Sequence, residues 1–359
     1  MTSLTIQDIR ARAVIAPLAR PLRTASGSIE VSPLILFDVL TADGTTGSAY
    51  LFAYTPAMLK PLLALIEEIK PELIGQPLVP LARMQQMQRR FCLLGVQGLL
   101  GMVLSTLDMA YWDALGKAAN VPLVQLLGGE PVPIMAYDSY GMVDPVDDRK
   151  ALEGSLAQGF RAIKIKVGYP ELSLDVQVVR EVRQIIGPDT ALMIDYNQSL
   201  QPLEAIRRIR ALEQFDLYWV EEPVSAEDLQ GHKLVRNATS APVQTGENWW
   251  FPRDAEQALS AGACDLMMPD LMKIGGITGW LSVMGLAQAA SMPMSSHLFV
   301  EASAHVLAVT PTCNWLEFLD LASPLLAQPN RVVNGQVTAQ GPGLGMTWDE
   351  QAVARYLLK

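Results

Sequence analysis

Histidine and cysteine are scarce in this sequence, and their scarcity excludes several kinds of active site. The chain has 359 residues but only three histidines and three cysteines. Metal-dependent hydrolases built on barrels usually need several histidine ligands, which this chain cannot supply. The cysteines, Cys92, Cys264 and Cys313, are odd in number, lack CxxC spacing and lie in apolar stretches. We therefore expect buried free thiols in a reducing compartment.

Two motifs common in catalysis are also missing. The GxSxG elbow of a Ser-His-Asp hydrolase does not occur. A phosphate-binding GxGxxG loop is absent too, because the glycines of KIGGITGW, residues 273–280, have a different spacing. Neither covalent serine catalysis nor dinucleotide binding is expected.

Positive charge and long apolar runs are in short supply. The chain has 27 Lys+Arg against 37 Asp+Glu, a formal net charge of −10. Phosphate groups would repel such a surface, so we expect neither a nucleic-acid nor a membrane partner. The most apolar run, residues 92–107, is shorter than a bilayer span. The first dozen residues carry charges rather than the apolar core of a secretion signal, which favours a cytoplasmic protein.

What is present in quantity is hydrophobic sequence, 50% of the chain, enough for the cores of two domains. Residues 32–53 contain two β-rich runs on either side of Asp43-Gly44, which predicts a hairpin. Helical patterns follow over 56–74, 80–91 and 97–119. We therefore predict an α+β domain over residues 1–128.

The pattern changes after Gly128-Gly129. Eight short apolar runs then alternate with amphipathic helical stretches, as expected for parallel strands covered by helices. The runs are residues 133–138, 161–167, 191–197, 217–223, 242–248, 265–270, 293–298 and 314–318. The predicted fold class is α/β, with a TIM-like (β/α) barrel of seven or eight units over residues 129–321. The tail, residues 322–359, has a hairpin signal at Asn334-Gly335 and is predicted to return to the first domain.

Each apolar run ends in a polar or charged residue, and the spacing is regular. From Lys166 the steps to the next such residue are 29, 26, 26, 23, 27 and 20 residues, about one βα unit each. The carboxyl ends of barrel strands meet at one face, where active sites lie, so these residues should surround one cavity. The series is Asp138, Lys164, Lys166, Asp195, Asn197, Glu221, Glu247, Asp270, His297 and Glu317.

Three successive members of the series, Asp195, Glu221 and Glu247, are carboxylates. Converging carboxylates repel one another unless a cation lies between them, and hard oxygen ligands select Mg²⁺, with Mn²⁺ as an alternative. Taken singly, each acid is more simply a solvated loop residue; three in register favour a metal site. Glu222 is ambiguous, because strand alternation points it away from Glu221.

The series also contains two kinds of base. Lys164 and Lys166 are two residues apart on an apolar strand, so they face the same side, and a second cation together with a nearby metal should lower the pKa of a lysine. His297 ends a strand-like run, and Asp270, one run earlier, could orient its imidazole. Of the other histidines, His232 is expected at the surface and His305 as a packed or capping residue.

These residues resemble the mandelate racemase branch of the enolase superfamily. The likeness extends over essentially the whole chain and includes the stretches LFAYTP, DYNQSL, WVEEP, GENW, MKIGG and SSHLF. It implies that the first domain caps the barrel. It also implies that Lys166 and His297, the latter supported by Asp270, are bases on opposite faces of a substrate carbon. Protonated Glu317 would donate to an enediolate, Lys164 and Ser139 would bind the substrate carboxylate, and Asn197 the α-hydroxyl.

The resemblance also implies where the substrate side group lies. The capping segment 20–30 would cover it, and the expected pocket residues are Leu22, Ser26, Ile29, Tyr54, Leu298 and Leu319. Ser26, Arg23 and Tyr140 depart from the pattern expected of mandelate-specific enzymes. The expected partner is a small carboxylate substrate, with a homo-oligomer as the expected assembly.

Three functions remain open at this point. The first is racemisation of a 2-hydroxy acid, mandelate or a related aryl or alkyl acid, since two bases on opposite faces permit inversion. The second is dehydration of an acid sugar on the same scaffold, which the aliphatic pocket residues disfavour because a polyol needs hydrogen-bonding partners. The third is a non-catalytic metal- or carboxylate-binding protein, which would not need two bases.

Overall fold

The computed structural model describes residues 4–24 and 27–358. It contains eleven strands over these residues. They are β1 Ile6–Thr24, β2 Gly27–Thr41, β3 Thr46–Phe52, β4 Pro133–Met142, β5 Ala162–Lys166, β6 Ala191–Asp195, β7 Leu217–Glu221, β8 Val243–Thr245, β9 Leu266–Met267, β10 Leu316–Phe318 and β11 Gln336–Thr338.

Twelve α-helices accompany the strands in the described ranges. They are α1 Leu59–Leu73, α2 Pro80–Arg90, α3 Leu99–Ala118, α4 Leu123–Leu126, α5 Arg149–Ala157, α6 Leu172–Ile186, α7 Pro202–Leu212, α8 Leu229–Ala238, α9 Phe251–Ala261, α10 Gly276–Ala289, α11 Val300–Ala308 and α12 Glu350–Tyr356. None of them is long and apolar enough to cross a membrane.

The N-terminal part is an antiparallel sheet in the order β1-β2-β3, covered by helices. The hairpin predicted at Asp43-Gly44 joins β2 to β3, with Gly44 at a positive φ of 90°. The three predicted helices are confirmed as α1, α2 and α3. Strand β1 carries no clean alternation and was not predicted. It pairs with β2 as far as Thr24 opposite Gly27, so the expected capping loop is the end of a long hairpin.

Strands β4 to β10 form the predicted barrel, with β4 between β10 and β5 and the remaining strands in chain order to β9. The run at 293–298 does not form a regular strand. Isolated bridges from Met294 to Met267 and to Cys313, and from His297 to Asp270, hold it between β9 and β10. A proline and two serines in this short run account for its weak ladder. The eightfold arrangement is nevertheless complete.

The C-terminal tail contacts both parts of the chain. Leu358 donates its backbone N–H to Ala13 of β1, and the Trp348 indole donates to Asp38 of β2. The turn at Asn334-Gly335 leads into β11, which pairs antiparallel with the first residues of β4. The tail therefore returns to the first sheet as predicted and also adds a strand to β4. The boundaries at residues 128 and 321 stay a prediction.

Two predictions about buried and exposed residues are wrong. All three cysteines are free, but only Cys264 is buried, whereas Cys92 and Cys313 are exposed. His232 is 1% exposed rather than at the surface, because it lies on the inner face of α8. His305 is packed as predicted, with Nδ1 accepting the backbone N–H of Val124 in the first turn of α4.

Candidate active site

The three predicted metal ligands come together at the carboxyl ends of neighbouring strands. Asp195 ends β6, Glu221 ends β7 directly opposite it, and Glu247 follows β8. All three are buried, and one oxygen of each lies within 4.8 Å of the others. Burial raises the pKa of Glu221 to about 8, and the charges of Asp195 and Glu247 add to this rise against the opposing effect of Lys164.

This donor set fits a small divalent cation. Three carboxylates supply hard oxygen ligands and leave coordination positions for water and substrate oxygens, which is the pattern that Mg²⁺ prefers. Bringing three negative charges so close in a buried site would otherwise be very unfavourable.

Lys164 and Lys166 both point into the barrel, as their spacing predicts. Lys164 Nζ lies 2.6 Å from Glu221 Oε1 and 2.8 Å from Glu317 Oε1, whereas Lys166 Nζ lies 2.5 Å from Asp195 Oδ2. The predicted lowering of a lysine pKa depends on a nearby metal as well as on the second lysine, and it stays a prediction. Burial and the charge of Lys164 do lower the pKa of Lys166, but the Asp195 carboxylate outweighs them and the pKa is raised.

His297 and Asp270 form the predicted dyad. His297 Nδ1 lies 2.6 Å from Asp270 Oδ2, so this nitrogen is engaged. Its Nε2 faces the carboxylates, 3.3 Å from Glu247 Oε2 and 3.8 Å from Glu317 Oε2. Burial would lower the pKa of His297, but Glu247 and Glu317 and the hydrogen bond to Asp270 raise it to about 9. Nε2 is therefore the nitrogen that can exchange a proton with a substrate.

Glu317 lies between the lysines and the histidine. Its Oε1 accepts from Lys164, and its Oε2 accepts the backbone N–H of Leu298 at 2.9 Å. Burial alone would raise the pKa of Glu317, but the charges of Lys164 and His297 bring it down to about 2. The expectation of a protonated Glu317 is thus not met in this arrangement, because an ammonium group and not an oxyanion is its partner.

The two predicted polar substrate contacts carry unused hydrogen-bonding atoms. Ser139 on β4 is in register with Lys164, and its Oγ is buried without a partner among the described residues. Asn197 donates Nδ2 to Asp195 Oδ2 at 3.0 Å, while its Oδ1 has no partner in the same part of the chain. Buried polar atoms of this kind are satisfied by a ligand or by water.

The predicted pocket residues fall into two groups. Leu22 and Leu319 are buried and line, together with Ser139, a cavity of about 440 Å³ between β1, β4 and α5. Polar side chains such as Arg23 and Tyr140 also line this cavity, and none of the predicted metal ligands or bases does. Ile29 is opposite Leu22 in the hairpin. Leu298 directly follows His297, and the ring of Tyr54 lies 5.2 Å from the ammonium of Lys273. Ser26 lies outside the described residues.

Asp138 is the one member of the polar series that does not face the barrel interior. Tyr137 and Ser139, its neighbours in the strand, face inward, so alternation turns Asp138 outward. There it forms an ion pair with Arg20 of β1 and accepts a hydrogen bond from Ser155 of α5. The strand β4 runs on to Met142, and a polar residue inside the strand was mistaken for one at its end.

Two residues of the site, Asn248 and Lys273, were not predicted from the sequence, and a third, Glu222, was left ambiguous. Glu222 is 1% exposed and bound by Asn248, which in turn contacts Glu247 and Lys273. Strand alternation failed for Glu222 because its φ is +36°, so the chain turns and the side chain does not take the opposite face. Asn248 is the neighbour of a predicted ligand, and both Asn248 and Lys273 lie in stretches of the family resemblance, GENW and MKIGG, which could have drawn attention to them.

Two family models match the chain. The model of the mandelate racemase / muconate lactonizing enzyme N-terminal domain matches residues 6–128, and that of the enolase C-terminal domain-like family matches residues 147–352. Together they span most of the sequence and include every predicted metal ligand and base.

Solved and curated relatives agree with these models. An enolase from Bradyrhizobium complexed with magnesium and mandelic acid is 56% identical, with a TM-score of 0.98 over 100% of both chains. The 3,6-anhydro-alpha-L-galactonate cycloisomerase of Streptomyces coelicolor is 32% identical over 98% of this chain and 99% of its own. The L-talarate/galactarate dehydratase of Salmonella typhimurium is 34% identical over 72% of this chain, but the match spans only 66% of its own length.

Proposed function

The chain belongs to the mandelate racemase / muconate lactonizing enzyme family of the enolase superfamily, and we propose that it racemises a small 2-hydroxy acid such as mandelate. It is an Mg²⁺-dependent enzyme of that superfamily, in which Asp195, Glu221 and Glu247 suit the metal site. When bound, Mg²⁺ supplies positive charge for the oxygens of a substrate carboxylate.

The observation that carries the proposal is the position of the two bases. Lys166 contacts Asp195, and His297 Nε2 faces Glu247, so the bases approach different members of one carboxylate trio. We infer that a substrate beside the metal held by that trio would have a basic group on each of two sides. With Asp195 engaged as a metal ligand, Lys166 would lose the partner that raises its pKa. The base that is neutral could then remove the α-proton, and the protonated base could return its proton to the opposite face, which inverts the carbon.

The remaining polar groups fit the needs of that reaction. An α-proton beside a carboxylate is very weakly acidic, so the charge that develops on the carboxylate oxygens needs stabilisation. Lys164 supplies a buried ammonium group, and Ser139 Oγ an unused hydrogen-bonding atom. Asn197 Oδ1 can accept a hydrogen bond from an α-hydroxyl group. Glu317, released from Lys164 and protonated, would donate to the enediolate oxygens.

Dehydration of an acid sugar is the second candidate, because a dehydratase and a cycloisomerase acting on sugar-derived acids are among the relatives. The aliphatic members of the predicted pocket speak against it, although Arg23 and Tyr140 also line the cavity beside Leu22 and Leu319. Leu22, Leu298 and Leu319 are all less than 10% exposed and offer no partners for the hydroxyl groups of a polyol. Mandelic acid bound in the Bradyrhizobium enolase supports the 2-hydroxy acid. A protein that only binds carboxylates would not need two buried bases.

Exchange in D₂O tests the proposal directly. Each enantiomer of a panel of aryl and alkyl 2-hydroxy acids is incubated with enzyme and Mg²⁺, and optical rotation and the α-proton NMR signal are followed. We expect rotation to fall to zero with incorporation of α-deuterium, and a chelator to stop both. If the enzyme exchanges no acid of this panel but forms a keto acid from an acid sugar, the racemisation proposal is wrong and dehydration takes its place. The cytoplasmic location and the homo-oligomeric state stay predictions.

A further inference from the structure

We propose that Asn248 and Lys273 act as one positioning pair, which fixes the carboxylates of Glu222 and Glu247 and thereby sets the Mg²⁺ affinity of the site. The proposal rests on the Mg²⁺ site and not on racemisation. Neither residue belongs to the predicted ligands or bases.

The two buried lysines of β5 form ion pairs with other acids. Lys164 contacts Glu221, and Lys166 contacts Asp195, at 2.6 and 2.5 Å. Neither lysine forms an ion pair with Glu222 or Glu247 within the described part of the chain. Glu222, a fourth carboxylate beside the trio, is 1% exposed. A buried carboxylate needs hydrogen-bond donors, and those of Glu222 and Glu247 must come from elsewhere.

Asn248 supplies that donor to both acids. Its Nδ2 lies 3.0 and 2.8 Å from the two oxygens of Glu222, and 3.3 Å from Glu247 Oε1. The amide thus spans the ligand Glu247 and the extra acid Glu222. It holds Glu247 Oε1 from one side while His297 Nε2 faces Oε2 from the other.

Lys273 determines which end of the amide faces the acids. An asparagine side chain has an oxygen and a nitrogen end of similar shape, and a rotation of 180° exchanges them. Lys273 Nζ lies 2.7 Å from Asn248 Oδ1. Because an ammonium group only donates, the oxygen must face Lys273 and the NH₂ group must face the carboxylates. A flipped amide would set its oxygen against two carboxylates and its NH₂ group against the ammonium.

The surroundings of Lys273 support this role. The residue is 7% exposed, and among the described residues it forms no direct ion pair with a carboxylate. Its backbone is held by hydrogen bonds from its own N–H to Asp270 and from Phe251 to its carbonyl. The ring of Tyr54 lies 5.2 Å from the ammonium. Burying an ammonium group this deeply is unfavourable unless nearby negative charge stabilises it. The carboxylates of Glu222 and Glu247, which Asn248 links to Lys273, supply that charge.

Mg²⁺ binding without substrate tests the pair. We compare wild type with Asn248→Ala, Lys273→Met and the double variant by calorimetry with Mg²⁺, and with Mn²⁺ by electron paramagnetic resonance. Partners that orient metal ligands typically contribute about 10–100-fold in affinity, so each single variant should bind Mg²⁺ that much more weakly. Because the two residues act together, the Mg²⁺ affinity of the double variant should be no lower than that of the single variant with the lower affinity.

Matched controls and a fold check keep the result interpretable. Asn237→Ala and Lys233→Met change the same residue types at exposed positions of α8 and should leave the Mg²⁺ affinity unchanged. Circular dichroism in chelator verifies the fold. If a variant does not fold, Asn248→Gln or Lys273→Gln, which keep a polar side chain, take its place with the same expectation. Mg²⁺ affinity within twofold of wild type, or single effects that multiply in the double variant, would overturn the proposal. Failure of the enzyme to racemise 2-hydroxy acids would not overturn it, because the proposal concerns Mg²⁺ binding only.

Discussion

Lys166 and His297 are both basic, but their neighbours differ. Lys166 is held by a metal ligand, Asp195, whereas His297 is held by Asp270, which lies outside the trio. We therefore expect each base to keep its position when the other is replaced. This independence makes the two-base arrangement testable at the scale of single residues.

Replacing either base should stop racemisation but leave exchange on one side. We expect Lys166→Ala and His297→Asn each to lower the racemisation rate by roughly 10²–10⁴-fold, the usual contribution of a general base. Each variant should still exchange the α-proton of one enantiomer, and the two variants should use opposite enantiomers. Proton NMR in D₂O with each pure enantiomer measures this. Lys150→Ala, at an exposed position of α5, is the control, and wild-type racemisation by both variants would refute the assignment.

At the scale of elements, the packing of β3 against α3 depends on one glycine. A Cβ atom on Gly47 would lie 2.0 Å from the carbonyl oxygen of Ala110 and 2.7 Å from the Cβ of Ala114. Both are parts of the helix, so neither can move away as a flexible side chain could. Helix α3 is buried on nearly all sides, which leaves it no room to shift.

We therefore expect Gly47→Ala to lower the free energy of unfolding by about 3 kcal/mol, as overpacking of a dense core does. Urea unfolding followed by circular dichroism measures the change. Gly285→Ala in α10 is the matched control, because a Cβ there meets nothing within 4 Å. Alanine favours a helix over glycine, so this control should stabilise by roughly 0.5–1 kcal/mol. Equal effects of the two substitutions would contradict the packing argument.

At the scale of the whole molecule, His305 links α11 of the barrel to α4 of the N-terminal part. Its Nδ1 accepts the backbone N–H of Val124 at 3.1 Å, which requires a neutral ring. Burial lowers the pKa of His305 from 6.5 to about 4. In the unfolded chain His305 therefore binds a proton below about pH 6.5, whereas in the folded chain it binds one only below about pH 4.

Stability should consequently fall as the pH drops from 6.5 to 4, and His305 should account for roughly 3 kcal/mol of that loss. Chemical unfolding at a series of pH values measures the slope. In His305→Asn the amide oxygen can still accept the Val124 N–H without titrating, so the slope in this window should become shallower by about one proton. An unchanged slope would show that His305 does not titrate as described.

Much of the site was already determined by the sequence. In a parallel barrel the carboxyl ends of all strands meet at one face, so regular spacing along the chain becomes proximity in space. This reasoning placed Asp195, Glu221 and Glu247 around one point and brought His297 to Asp270, as the structure has them. The barrel and the helices of the first domain followed from hydrophobic periodicity, which depends only on neighbouring residues.

Only the tertiary structure decided the features that depend on partners distant in the chain. Alternation alone could not tell where β4 ends, so Asp138 was assigned to the wrong side, and a positive φ at Glu222 broke the alternation. The pKa values of Lys166 and Glu317 depend on which groups touch them: the contact with Asp195 raises the pKa of Lys166, and the contact with Lys164 lowers that of Glu317. Periodicity records which face of an element is apolar; a pKa or an orienting hydrogen bond is set by distances between elements, which no local pattern contains.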